Sequence, residues 1–316
     1  MFNKIKNIFL KKKFNNKKFL LAISGGVDSI VLFNIIYKIF YKYKQKDKIS
    51  IIHCNFNLNK KNKTYNLIKK ICKKKKIKLF YKKFNTKLYS KKKKISIQMA
   101  ARELRYNFFF KIKKKYKYNY ILLGHNLDDS IETFFINLFR KTGLYGLKGI
   151  EFISKKKKIL RPLIYFYKKD IINYAIINNL KWYEDVSNNK NIYLRNKIRN
   201  IILPIIYKNF LYVKKNIVNT INNIKLEYKF IKNKIKDYKK KIIIKINNFN
   251  FKLKIKKLIK IKYYQYFLFK IFKKYGFNDY KIFKKLPFFK NKKKIYSKNK
   301  KFVITKINNY IYFKLN

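Results

Sequence analysis

Two short stretches carry residue types that could do chemistry together. The first is Ser24-Gly25-Gly26-Val27-Asp28-Ser29, directly after the apolar run 19–23. Adjacent glycines allow close approach of backbone to an anion, and a helix starting at Asp28 would aim free N–H groups and its positive dipole end at phosphate. The spacing is not that of a Walker A loop, G-x-x-x-x-G-K-[ST]. The competing reading is a Ser/Gly turn that only caps a helix. The second stretch is Gly124-His125-Asn126-Leu127-Asp128-Asp129-Ser130-Ile131-Glu132-Thr133. On a helix, Asp129 and Glu132 share a face, and Asp128, Glu132 and Arg140 fall on neighbouring turns. Such paired carboxylates suit a metal, an ammonium group, or both. Helix capping by first-turn acids is the plainer alternative, and it accounts for one carboxylate better than for three in a chain with 13 acids.

The elements that must position these residues alternate early in the chain. Strands are expected at 18–23, 48–54, 77–83 and 119–124, and helices at 28–43, 62–75, 96–114 and 127–141. Alternation of this kind predicts an α/β fold with a parallel, doubly wound sheet covered on both faces. Its ligands bind beyond the carboxyl ends of the strands. Ser24–Ser29, His53 and His125–Glu132 all fall at such ends, which predicts one shared cleft. Residues 204–238 read as helical, followed by helices at 258–275 and 279–286 and a hairpin of strands 301–306 and 310–315.

Composition sharpens the picture. The formal net charge is +71, a field that would attract any polyanion. Lys, Asn, Ile, Phe and Tyr are all AT-rich in their codons, so the charge permits nucleic acid binding without diagnosing it. Only six of the 84 basic residues are arginine: Arg102, Arg105, Arg140, Arg161, Arg195 and Arg199. Lysine supplies charge but no planar fork, so an arginine that survives in this background marks a place where the fork matters. Six of the seven glycines lie at 25–26 and 124–149. Cys54 and Cys72 form no C-x-x-C pair and read as buried free thiols. No apolar run approaches the length of a membrane span. The basic N-terminus lacks a clean signal-peptide core, and the expected location is cytoplasmic.

The SGGVDS loop resembles the pyrophosphate loop of the N-type ATP pyrophosphatases, and four further places make the resemblance specific to the tRNA(Ile)-lysidine synthetase family. These are Ala101-Arg102-Glu103-Leu104-Arg105-Tyr106; His125 to Thr133; Arg140-Lys141-Thr142-Gly143-Leu144-Tyr145-Gly146-Leu147; and a final set ending at Leu203-Pro204. That set holds Arg161-Pro162-Leu163, Trp182-Tyr183-Glu184-Asp185-Val186-Ser187-Asn188 and Tyr193-Leu194-Arg195-Asn196-Lys197-Ile198-Arg199. The matches span 24–204; beyond 258 only the helix–helix–hairpin pattern is similar. The chain departs from the family at Phe56 and Asn59, where a second His and an Arg are usual, at Gln98 for a Glu, and at Lys190 for an Asp.

The resemblance implies an enzyme. ATP adenylates the C2 oxygen of the wobble cytidine in the minor isoleucine tRNA (CAU anticodon), and free L-lysine displaces AMP to give lysidine. It implies ATP binding by Ser24, Gly25, Gly26, Val27, Asp28, Ser29, His53, Gly124 and His125, with Asp28 on Mg²⁺. Catalysis is expected from Asp28, Arg102, Arg105, Asp129 and Glu132, with lysine held by the last two. Arg140, Arg161, Arg195, Asn196 and Arg199 are expected in structural or tRNA-contact roles, and Trp182 in the core. The implied domains are 1–204, catalytic; 205–244, a helical linker; and 245–316, a small α+β tRNA-binding domain. Family members are monomers or homodimers. A tRNA sulfur transferase on the same scaffold and a non-catalytic basic RNA-binding protein are the competing functions.

Overall fold

Residues 19–22 bury side chains on both faces, which is what a central parallel strand requires. In the computed structural model, which describes all residues except 15, 58–62, 185–192 and 248–249, Phe19, Leu20 and Leu21 are each fully buried. Phe19 and Leu21 join one apolar cluster with the helix that follows. Leu20 joins another on the opposite face with Ile52, Phe80 and Phe109. The period-2 alternation of a strand thus feeds two cores from one segment.

Contacts divide the chain into Met1–Ile224 and Lys225–Asn316. The first unit opens with α1 (Phe2–Lys11), an amphipathic helix that buries Ile5 and Phe9 and that the sequence reading left unassigned. The chain then runs β1 (Phe19–Ala22), α2 (Val27–Lys42), β2 (Ile49–Asn55), α3 (Lys63–Lys75), β3 (Leu79–Lys83), α4 (Thr86–Lys93), α5 (Ile97–Lys115), β4 (Tyr120–Leu122) and α6 (Leu127–Phe139). The four expected strands and four expected helices of this region are present. Next come α7 (Leu144–Leu147), the two-residue strands β5 (Ile153–Ser154) and β6 (Ile159–Leu160), and α8 (Lys168–Ile177). The sheet order is β3-β2-β1-β4-β6-β5. Every pairing is parallel except the edge pair β5–β6. Strand order reverses between β1 and β4, so the crevice at their carboxyl ends is the topological switch point.

The segment after α8 re-enters helix at α9 (Leu194–Lys197), passes through a π-helical turn at Ile198–Ile202, and continues as α10 (Leu203–Asn209). Pro204 has no N–H for the usual i→i−4 bond, a local reason for the widened turn just before it. Then α11 (Val213–Ile242) runs across the division between the units at Ile224.

The second unit holds a five-stranded antiparallel sheet, order β7-β8-β11-β10-β9. Its elements are β7 (Ile243–Lys245), β8 (Phe251–Lys254), α12 (Ile255–Ile259), α13 (Tyr264–Phe272), α14 (Tyr280–Lys285), β9 (Lys294–Tyr296), β10 (Phe302–Ile307) and β11 (Tyr310–Leu315). The expected hairpin is β10–β11. The single helix expected at 258–275 is instead α12 and α13 with a break at 260–263, where β-branched and tyrosine residues favour helix weakly. Aromatic packing of Phe272 with Phe251, Phe283 and Phe313 builds this unit's core.

Candidate active site

The loop after β1 is tied by one hydroxyl. Ser29 Oγ donates to the Gly26 carbonyl (2.8 Å) and accepts from the Ser24 and Gly25 amides at 3.1 and 3.2 Å. Gly25 has φ +97°, and a Cβ there would lie 2.8 Å from the Thr64 side chain, so the position admits only glycine. The first amides of α2, at Val27 and Asp28, have no earlier turn to bond to and leave donors at an end of the helix suited to an anion. Gly124 brings the end of β4 onto this loop, with its missing Cβ 3.1–3.2 Å from the Asp28 and Ser29 backbone. The peptide of Tyr183 closes the outer side, donating to the Gly25 carbonyl at 3.0 Å.

Asn126 joins loop to acids. It caps α6 in a reciprocal capping box: its side chain accepts from the Asp129 amide while Asp129 Oδ2 accepts from the Asn126 amide, both at 2.9 Å. Its Nδ2 then donates to Asp28 Oδ1 (2.9 Å). Lys168, at the start of α8, reaches Asp28 Oδ2 with Nζ at 2.5 Å and Asp128 Oδ2 with its backbone amide at 2.7 Å. Lys214 pairs with the other Asp128 oxygen at 2.6 Å and lies over the rings of Tyr167 and Tyr207.

Glu132 is 1% exposed and is the most enclosed acid of the site. Arg199 grips it with two bonds, Nε to Oε1 at 2.6 Å and Nη2 to Oε2 at 3.0 Å, the fork that lysine lacks. Arg199 also lies 3.5 Å from Asp129 Oδ1. Arg195, one turn earlier, brings Nε within 3.1 Å of Glu132 Oε2, and its Nη2 donates to Thr133 Oγ1 at 3.0 Å. Burial pushes the Glu132 carboxyl up against the opposing pull of Arg199. Arg140 is the C-cap residue after α6 ends at Phe139, so the expected grouping of Arg140 with Asp128 and Glu132 is replaced by Arg195 and Arg199. These two arginines, expected in structural or tRNA roles, sit on the acids themselves. Asn196, between them, is buried.

His125 lies at the mouth of the same crevice. Arg161 Nε donates to its Nδ1 at 3.2 Å, and Arg161 Nη1 donates to the Glu151 carbonyl at 3.0 Å. Burial pushes the imidazole down to about 3, helped by the positive charges of Arg161, Arg195, Arg102 and Arg105. Arg102 stacks on Tyr106 at 5.1 Å, and Arg105 on Phe56 at 5.0 Å, the residue that departs from the family pattern. The expected alternative of an ion pair between these arginines and Glu103 or Asp129 is not what is seen: Glu103 accepts from Tyr89, and Asp129 faces Arg199. His53, 3% exposed, is fixed by its Nδ1 contact to the Ile23 carbonyl at 2.8 Å, with Nε2 buried and unpartnered.

Trp182 packs at the edge of the main core. Gln98 is exposed on α5. Asn59, Asp185–Asn188 and Lys190 lie outside the described residues. The Cys54 and Cys72 thiols are pushed up by burial to about 12 and about 11. Lys168, Lys214 and Tyr207 had no signal among so many lysines and tyrosines. Asn126 did have one: an N-cap residue three before an acid is a capping signature.

A family model described as a PP-loop domain matches residues 1–206. The tRNA(Ile)-lysidine synthase of Bacteroides thetaiotaomicron is 36% identical over 229 residues, covering 72% of this chain and 52% of the relative. That of Petrotoga mobilis is 35% identical over 192 residues, covering 60% of each. The chain thus spans about half the length of the curated relatives it matches. Among solved structures, the U34-tRNA thiolase NcsA from Methanococcus maripaludis superposes with a TM-score of 0.57 at 21% identity, over 71% of this chain and 77% of that one, a likeness of fold.

Proposed function

Since the chain belongs to the PP-loop proteins, and among them to the tRNA(Ile)-lysidine synthase family, we propose that it joins free L-lysine to C2 of the wobble cytidine of an isoleucine tRNA with a CAU anticodon, converting ATP to AMP and pyrophosphate. One observation carries this reading. A phosphate-binding loop, an arginine-ringed histidine and a carboxylate cluster meet at one switch-point crevice, joined by Asn126 and Arg195. The crevice thus offers an anion subsite beside a cation subsite, as a nucleotide and an amine require.

The two half-reactions divide between the subsites. In the first, the α2 amides and the Ser24 hydroxyl hold the phosphates, on a loop whose shape the Ser29 hydroxyl ties, while the cytidine C2 oxygen attacks the α-phosphorus and pyrophosphate departs. Arg102 and Arg105 supply fixed positive charge where negative charge grows. In the second, the ε-amine of lysine attacks C2 and AMP leaves. The ammonium form, pKa about 10.4, must lose a proton first. Asp129 and Glu132 attract the cation. Glu132, raised by burial, is the better proton acceptor of the two. Arg199 bridges both acids, so the incoming amine must share or displace that guanidinium.

No group of three or more His, Cys, Asp or Glu able to hold a metal gathers among the described residues. Asp28 offers a single carboxylate, already met by Asn126 and Lys168. This donor set fits a Mg²⁺ ion that arrives on the phosphates. Asp28 would hold it, and when bound it would offset charge on the leaving pyrophosphate.

The sulfur-transferase reading needs reactive cysteines, whereas both thiols here are held in the protonated form well above neutral pH. A non-catalytic RNA-binding role leaves the buried acid–arginine cluster without a use. The direct test is AMP release from ATP in the presence of the isoleucine tRNA. Release that requires both lysine and a cytidine at the first anticodon position supports the proposal. Release that is indifferent to lysine defeats it.

A further inference from the structure

The chain has two histidines, and the structure holds them in opposite ways. His53 Nδ1 faces a carbonyl oxygen, which can only accept, so that nitrogen carries the proton. His125 Nδ1 faces Arg161 Nε, which can only donate, so that nitrogen must be a bare lone pair. A doubly protonated ring would set N–H against N–H at 3.2 Å. The single proton of a neutral His125 is therefore on Nε2.

We propose that Arg161 is a positioning residue for the nucleotide reaction: by donating from Nε to His125 Nδ1 it locks the ring as the Nε2–H tautomer, so that His125 presents a neutral, directed donor to a phosphoryl oxygen. Arg161 is itself held for this purpose. Its Nη1 is fixed on the Glu151 carbonyl, and its backbone amide donates to the Phe152 carbonyl at 2.9 Å. Pro162 immediately follows it and opens a 3-10 turn whose Ile164 amide returns to the Arg161 carbonyl. The backbone and one end of the guanidinium are thus set before Nε meets the ring.

The position suits an anion. Gly124, the preceding residue, packs on the Asp28–Ser29 backbone, so His125 begins where the phosphate loop ends. The charged groups that face the ring are Arg102 and Arg105 from α5, Arg195 from α9 and Arg161 itself. All are positive. They attract a polyanion and add to the burial that keeps the imidazole uncharged. A neutral ring in such a field can still bond phosphate, but only if its proton points outward, which is what Arg161 arranges. The target oxygen rests on the ATP reading above; the tautomer does not.

Both statements are open to one experiment on the full-length protein. Nitrogen-15 NMR of the imidazoles gives two spectra to assign, because there are two histidines. The expected result is one Nδ1–H ring (His53) and one Nε2–H ring (His125), with His125 resisting protonation as pH falls to about 4. Arg161→Met should release His125 into a mixture of tautomers and raise its titration midpoint by a unit or more, with His53 unchanged as the folding control. Arg161→Gln keeps a donor and should retain the Nε2–H form in part. An Nδ1–H His125 in the native protein, or an unchanged His125 in Arg161→Met, would overturn the proposal. Addition of AMP should shift the His125 Nε2–H signal in the native protein. An unperturbed signal with AMP bound would remove the phosphate role while leaving the tautomer assignment intact.

Discussion

The two units of this molecule treat positive charge differently. Before residue 225 the chain keeps all six of its arginines and ten of its 13 acids; from residue 225 onward, 30 lysines stand with no arginine and three acids. In the first unit Arg102, Arg105, Arg161 and Arg195 act on His125 by their charge, and Arg199 grips Glu132 through a two-bond fork that lysine cannot copy, with Arg195 Nε 3.1 Å from the same carboxylate. The second unit carries its positive side-chain charge on lysine alone. Arginine is confined to the unit in which the direction of a donor matters. Rare residue types in a biased chain therefore point to the candidate site without any comparison of sequences.

The strongest way to break that contrast is at Glu132. Glu132→Gln leaves Arg195 and Arg199 facing a neutral group. We expect lysine-dependent AMP release to fall by about 100-fold or more, with a loss of roughly 1–3 kcal/mol of stability because both arginines keep some solvent contact. Activity within twofold of the native value would show that the cluster is only structural. Asp129→Ala should raise the KM for lysine by ~10-fold or more and leave ATP affinity near native, since its contacts are to the α6 cap and Arg199 and not to the loop. Equal loss of both would remove the division into anion and cation subsites.

Substituting one cation for another sharpens the comparison further. Arg102→Lys and Arg105→Lys should each lower turnover by about 10-fold, because charge is kept and planarity lost. In contrast, Lys234→Arg and Lys262→Arg in the second unit should change nothing beyond about twofold. Native rates from the first pair, or large effects from the second, would undo the argument from arginine scarcity.

A separate effect concerns pH dependence and leaves activity at neutral pH aside. His125 titrates in the folded state at about 3, against 6.5 in the unfolded chain. Between those values the unfolded state binds the extra proton, so the stability present above pH 6.5 is lost as pH falls toward 3. His125→Asn should remove close to one proton from this slope, about 1.4 kcal/mol per pH unit, as measured by denaturant unfolding at pH 4, 5 and 6. An identical slope in the variant would mean that the ring is charged in the folded protein.

Much of the first unit was legible in the sequence because its signals are local. The β1 run is apolar on both faces, and the Ser24–Ser29 loop sits at its end. The four βα repeats are long enough to show their period. What was not legible depends on distance along the chain. Arg199 meets Glu132 across 67 residues and Lys168 meets Asp28 across 140, and no spacing rule announces either. The capping box at Asn126 and Asp129 was within reach of sequence reasoning, and it shows that one carboxylate serves the helix start as well as the site. In the second unit β7, β8 and β9 are three or four residues each, too short for alternation to register in a lysine–isoleucine background.

On the function proposed above, the Ser24–Ser29 loop and the acid–arginine cluster serve one reaction on one tRNA base. The most direct test is mass analysis of the nucleosides from isoleucine tRNA with a CAU anticodon, after incubation with the protein, ATP and lysine. Lysidine is expected to replace cytidine at the first anticodon position, and omitting either ATP or lysine should abolish it. An unmodified cytidine under all conditions, or a thiolated base in its place, would contradict it.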